Sequence, residues 1–177
     1  MPLLSAAASA LVMVDFQARL MPAMDEGARA LENGRRLVRA ARLLGVPVLF
    51  TEQNPERLGA TMPELETEGH AVLAKMSFDG TTAPGFDAGL PADATVLVAG
   101  WEAHVCVLQT ALSLREQGRE VAVVEDAVSS RRPESRTAAL RRMEAHGVEP
   151  VTTEMVVFEW LGSAEHPRFR EAVALVK

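Results

Sequence analysis

The chain has 177 residues, 48% hydrophobic and 24% charged, which fits one folded domain over 1–177 with a sizeable core and excludes a disordered or fibrous protein. The net charge is −6, with Lys and Arg scattered along helical stretches, so a nucleic-acid partner, which needs a basic face, is disfavoured. One Cys cannot make an internal disulfide, and nothing points to an oxidising compartment.

Residues 3–14 (LLSAAASALVMV) are apolar or small, and the ASA within them imitates a signal cleavage site. No Lys or Arg precedes Arg19, however, and the run is too short to span a bilayer. It reads as a first strand, ALVMVDF (10–16), of a cytoplasmic protein with no membrane partner. The later apolar runs are VPVLFT (46–51), HAVLAK (70–75), ATVLVAG (94–100), EVAVVED (120–126) and VEPVTT (148–153). They are rich in Val and continuous, as strands buried on both faces are.

Amphipathic stretches separate the strands. Residues 26–44 carry Leu31, Val38, Ala41 and Leu44 on one stripe and stop at Gly45. Residues 104–117, with Val107, Leu108, Ala111, Leu112 and Leu114, end at Gly118. Residues 134–146 end at Gly147, and a last helix from Pro167 places Phe169, Val173 and Val176 on one face. The fold expected is α/β: a three-layer α/β/α domain with a six-stranded parallel sheet in the Rossmann-like order 3-2-1-4-5-6.

Such sheets bind ligands at the carboxyl ends of their strands. Three reactive residues fall there: Asp15 after the first strand, Lys75 after the third, and Cys106 just after the fourth. Cys106 is predicted in the first turn of a helix, where unpaired N–H groups and the helix dipole stabilise a thiolate, as would a nearby Lys75. Asp15 would act on the thiol pKa in the opposite direction, yet it could take the thiol proton, pass it to a leaving amine, and later activate water. Each residue also has a plainer role: a free Cys as a small core residue, Asp15 as a turn cap, Lys75 as a solvated charge. His104 lies two residues before Cys106 and should point to another side of the helix. His70, His146 and His166 read as surface or turn residues, so a Cys–His dyad is not favoured.

The segments VMVDFQ, AKMSFDG and GWEAHVCVLQTAL resemble the three active-site segments of the isochorismatase-like cysteine hydrolases. The resemblance continues through TEQNPERLGAT, VEDAVSSR and TTEMVVFEWLGSAEHPRFRE, from about residue 10 to 175, and is nearest to the short, single-domain isochorismatase-domain-containing proteins. It implies Asp15 as general acid/base, Lys75 as catalytic lysine and Cys106 as nucleophile. It also implies a non-proline cis peptide between Trp101 and Glu102. That turn would aim the Glu102 and Cys106 N–H groups at one point as an oxyanion hole.

The implied activity is hydrolysis of an amide-type C–N bond in a small molecule, through a thioester, by a homo-oligomer without a cofactor. Nicotinamidases of this superfamily carry an Asp-x-His metal site after the second strand. Here the stretch reads TEQNPE, without a His, so no catalytic metal is expected. Vinyl-ether cleavage and a redox-responsive protein using a low-pKa Cys106 are the alternatives.

Gln17, Phe78 and Trp101 are candidates to line the substrate pocket, although Trp101 could equally be core, as Phe16 is expected to be. Glu52 reads as a turn or pocket-wall hydrogen-bonder. Arg131 and Arg132 read as a solvated pair that a carboxylate-bearing substrate could use. Trp160 is expected in the core or an interface, and the apolar stretch Phe158 to Leu161 is the candidate surface for self-association.

Overall fold

A computed structural model describes residues 3–177. Six strands, β1 (Ser9–Val14), β2 (Val48–Gln53), β3 (Ala71–Lys75), β4 (Thr95–Trp101), β5 (Val121–Ser129) and β6 (Glu149–Val151), form one sheet. Its order is β3-β2-β1-β4-β5-β6, and every pairing is parallel. Helices cover both faces, so the central strands are buried on both sides, which is why they read as unbroken Val-rich runs.

The period of two sorts β1 between two cores. Leu11 and Met13 face one cluster with α1 (Gly27–Leu44) and the C-terminal helices; Ala10, Val12 and Val14 face the other with Val107, Ala111 and Met143. A four-residue helix α2 (Pro55–Leu58) follows β2. On the second face lie α3 (Leu108–Glu116) and α4 (Pro133–Ala145). Gly100 has φ +146°, and a Cβ there would lie 2.1 Å from the Val14 carbonyl oxygen, so only glycine lets β4 pass β1 at this point.

Several details differ from the sequence reading. The expected helix over 104–117 opens with a π turn, Ala103–Val107, and only then continues as α3. The sixth strand stops at Val151, because the Thr152 side chain accepts the Met155 N–H and caps a helix, α5 (Thr153–Leu161), that the pattern did not disclose. A bulge in β5 lets four residues, 124–127, stand opposite the single Ala99 of β4. The last helix is α6 (Phe169–Val176).

α5 also changes what its segment does. Trp160 and Leu161 are buried, and the Trp160 indole donates to Ser9 Oγ at 3.1 Å. Of the stretch expected to mediate self-association, Phe158 reaches the surface, beside Phe169 and near the exposed Met155.

Candidate active site

The carboxyl ends of β1, β2, β3 and β4 lie side by side, and the side chains that leave them meet. Asp15 follows β1 with φ +51°, a left-handed conformation that Asp tolerates, and its N–H donates to the Thr51 carbonyl at 3.1 Å. Its carboxylate is fully buried. Thr51 Oγ1 donates to Oδ1 at 2.7 Å, and Lys75 Nζ donates to Oδ2, also at 2.7 Å. Lys75, the last residue of β3, has a side chain only 1% exposed. Its ammonium also reaches Gln53 Oε1 at 2.9 Å and the Ser77 carbonyl at 3.3 Å. The two buried charges are therefore neutralised by one another and held by neutral dipoles, as a buried ion pair requires.

Cys106 lies within the π turn and is 7% exposed. Asp15 and Lys75 are the charged groups that act on its thiol. Of the opposing influences expected on this thiol, those against ionisation win: burial, and then the Asp15 charge, push it up to about 12, outweighing the pull of Lys75. The physical reason is position. Cys106 stands ahead of the first α-helical turn and inside the apolar cluster with Val14, Ala103 and Val107, where an ionised sulfur loses water that a helix end does not replace. Cys106 thus rests as a neutral thiol under the influence of a nearby carboxylate.

The oxyanion candidates stand in the same turn. The Trp101–Glu102 peptide is cis, and the Glu102 carbonyl accepts from Val105 N–H at 3.0 Å and Val107 N–H at 3.3 Å. The Glu102 side chain pairs outward with Arg131, Nε to Oε1 at 2.7 Å, so Arg131 is held at this rim by a carboxylate of its own chain.

Two of the expected pocket residues take other roles. Trp101 is fully buried in the core on the α1 face, its ring 5.0 Å from Phe16, whereas Cys106 belongs to the opposite core. Gln17 is fully buried and saturated: its Nε2 donates to the Gln53 and Gly59 carbonyls, and its Oε1 accepts from Gln53 N–H at 2.8 Å. It braces the β2 end. Phe78 is 52% exposed in the loop that leaves β3. A cavity of about 350 Å³ opens beside that loop, lined by Lys75, Met76, Ser77 and, opposite, Pro55, Thr82 and Pro84. A second cavity, about 370 Å³, lies elsewhere, between the start of α1 and α4, away from Asp15 and Cys106.

Thr51 and Gln53, which hold the acid and the ammonium, were not singled out for those roles. Register would have found them, since β2 pairs directly with β1 and β3. Glu52 accepts from the N–H and hydroxyl of Thr61 and so closes the β2 loop, the structural role expected of it. His104 Nδ1 lies 2.9 Å from Ser130 Oγ. Among the described residues, no three His, Cys, Asp or Glu side chains gather closely enough to hold a metal ion, and no helix is long and apolar enough to cross a membrane.

The Isochorismatase domain family matches residues 9–155, which takes in the ends of all the site strands. The chain belongs to the isochorismatase family. Within that hydrolase family it is 39% identical over 172 residues to isochorismatase domain-containing protein 2 of Homo sapiens, covering 96% of this chain and 83% of that one. It is 36% identical over 177 residues to isochorismatase domain-containing protein 1 of Danio rerio, covering 98% of this chain and 62% of the relative. The chain thus spans about three-fifths of the length of these type 1 relatives. Among solved structures, the MAR1 ribonuclease of Caenorhabditis elegans superposes with a TM-score of 0.93 at 36% identity, covering 98% of this chain and 91% of that one.

Proposed function

We propose that this isochorismatase-family protein is a cysteine hydrolase that cleaves an amide-type C–N bond of a small molecule through a thioester on Cys106. The observation that carries the reading is the buried Asp15–Lys75 pair, 2.7 Å apart, set against the one thiol of the chain.

Because the thiol rests protonated, the first step is proton transfer. Asp15 takes the S–H proton as sulfur adds to the substrate carbonyl, and Lys75 offsets the negative charge that then builds at sulfur. The carbonyl oxygen becomes an oxyanion that the Glu102 and Cys106 N–H groups would receive. Collapse breaks the C–N bond, and the proton on Asp15 goes to the leaving nitrogen, giving a free amine and the thioester. Asp15 next takes a proton from water. The hydroxide adds to the thioester, the C–S bond breaks, the acid leaves, and the proton returns to sulfur. Thr51 and Gln53 keep the acid and the ammonium in place through the cycle.

A redox sensor needs an accessible, low-pKa thiol. Burial and the push to about 12 count against that use of Cys106. The test is a panel of small amides, with vinyl ethers for the ether-cleaving alternative and RNA because of what the C. elegans relative is called. Cys106→Ala serves as the blank. One or more amides should turn over, with an acyl adduct on Cys106 in intact-mass spectra and a loss of at least about 1,000-fold in the variant. Turnover of RNA or a vinyl ether alone, or turnover indifferent to the substitution, would reject the amide thioester. Size-exclusion chromatography with light scattering tests the proposed self-association.

A further inference from the structure

The hydroxyl of Thr110 sits at a junction that the hydrolysis described above does not use. Thr110 is fully buried in α3, four residues after the nucleophile. Its Oγ1 donates to the Cys106 carbonyl at 2.7 Å and accepts from the Gly80 N–H at 2.8 Å. A Cβ on Gly80 would lie 2.9 Å from Thr110 Oγ1 and 3.2 Å from its methyl, so the loop lies against this side chain with no room for a larger residue. One turn further along α3, Ser113 Oγ lies 3.2 Å from Thr81 Oγ1. The loop held here, residues 76–82, begins at the catalytic lysine candidate, and its Ser77 carbonyl accepts from Lys75 Nζ. The exposed Met76 and Phe78 stand on it.

We propose that Thr110 is a positioning residue that links the loop after β3 to the Cys106 turn, so that the thiol, Lys75 and the Phe78 loop keep one mutual geometry. A serine or threonine hydroxyl bonded to the carbonyl four residues earlier is an ordinary way to occupy a buried hydroxyl within a helix. That plain role leaves the second bond unexplained. The Gly80 N–H comes from another segment thirty residues away, and the carbonyl at the other end of the relay is that of the nucleophile. Displacement of a reacting group by about 1 Å is enough to lower a rate by up to about 100-fold.

The inference rests on Cys106 as the reacting group, but its test needs no turnover. The charged groups facing the thiol are Asp15 and Lys75, and burial with Asp15 keeps its reactivity toward alkylating agents low near neutral pH. Thr110→Val removes the hydroxyl at constant shape. The turn then relaxes away from Asp15, so iodoacetamide labelling of native protein between pH 7 and 10 should rise about tenfold and its pH profile should move down toward that of an ordinary thiol. Thr110→Ser restores both bonds and the wild-type profile. Ser113→Ala loosens the same loop without touching Cys106 and leaves the profile unchanged. Gly80→Ala presses on Thr110 from the loop side and should shift the profile in the same direction, which keeps the test decisive if Thr110→Val does not fold. A profile unmoved by both Thr110→Val and Gly80→Ala, or one that Thr110→Ser does not restore, overturns the proposal. A wild-type protein that hydrolyses nothing would sink the hydrolase while leaving these labelling outcomes readable.

Discussion

On the β1–β2–β3 side of the site, Asp15 has a donor on each carboxylate oxygen and Lys75 has three acceptors. On the β4 side, Cys106 sits in an apolar cluster, and the charges that act on its thiol are those same two groups. One half of the site holds full charges with fixed dipoles, and the other keeps its reactive atom neutral by burying it. The difference separates the tasks. On the proposed cycle, charge that must persist is anchored, whereas charge that must appear only during reaction is discouraged at rest, so stabilisation of it falls to the transition state.

The largest break in this comparison comes from the acid. Asp15→Asn keeps the shape and the Thr51 contact but removes the proton acceptor, leaving a neutral thiol without a base. Turnover of whichever panel compound the wild type hydrolyses should fall by about 1,000-fold or more. Steady-state rates show it, and an Asn variant with even a tenth of wild-type activity would mean that another group takes the thiol proton.

Removing the ammonium tests the anchored half by stability. Lys75→Met leaves the Asp15 carboxylate buried with only Thr51 as donor, and breaking a buried pair from one side costs about 3–5 kcal/mol. Urea unfolding should show that loss. The Asp15→Asn, Lys75→Met double variant should recover most of it, because no uncompensated charge remains.

How much of this was legible follows the same division. Asp15, Lys75 and Cys106 could be found because a Val-rich strand ends on each of the first two and just ahead of the third, and parallel sheets gather their carboxyl ends at one edge. The side of Trp101 was legible too: it shares the parity of Leu97 and Ala99, which face α1, and not that of Val96 and Val98. The segment from Thr152 was harder. TTEMVVFEWL is apolar at nearly every hydrophobic spacing, and only the Thr152 cap separates helix from strand. The resting state of the thiol was legible only as a balance of opposing charges. A helix end and a lysine argue for a thiolate and Asp15 against it, and it is the enclosure of Cys106 by residues distant in sequence, the largest influence, that decides the sign.

That outcome has a measurable consequence for the buried half. The folded thiol is raised to about 12 from 9.0, so its contribution to stability is intact below pH 9 and is lost as pH rises toward 12, where the unfolded chain ionises first. By pH 10.5 the wild type should lose about 2 kcal/mol that Cys106→Ala does not. Urea midpoints of the two proteins between pH 8 and 10.5 make the comparison. Parallel curves would mean that the thiol is not held neutral by the fold.

The smallest effect belongs to the neutral dipoles of the anchored half, and it decides whether they only support the pair or also set its reactivity. Thr51→Val preserves shape and strand propensity while removing the one donor to Asp15 Oδ1. A hydrogen bond to a buried charge contributes about 1.5 kcal/mol or somewhat more, so stability should fall by that amount, less than for Lys75→Met. With Oδ1 released, the carboxylate turns about its remaining bond to Lys75, and its approach to the thiol is no longer fixed. Turnover should therefore fall beyond what the stability loss explains, with the protein fully folded at the assay temperature. Thr51→Ser, which returns the hydroxyl, should restore the rate. A Thr51→Val protein that is less stable yet equally active would confine the hydroxyl to support and leave Lys75 alone as the group that aims the acid.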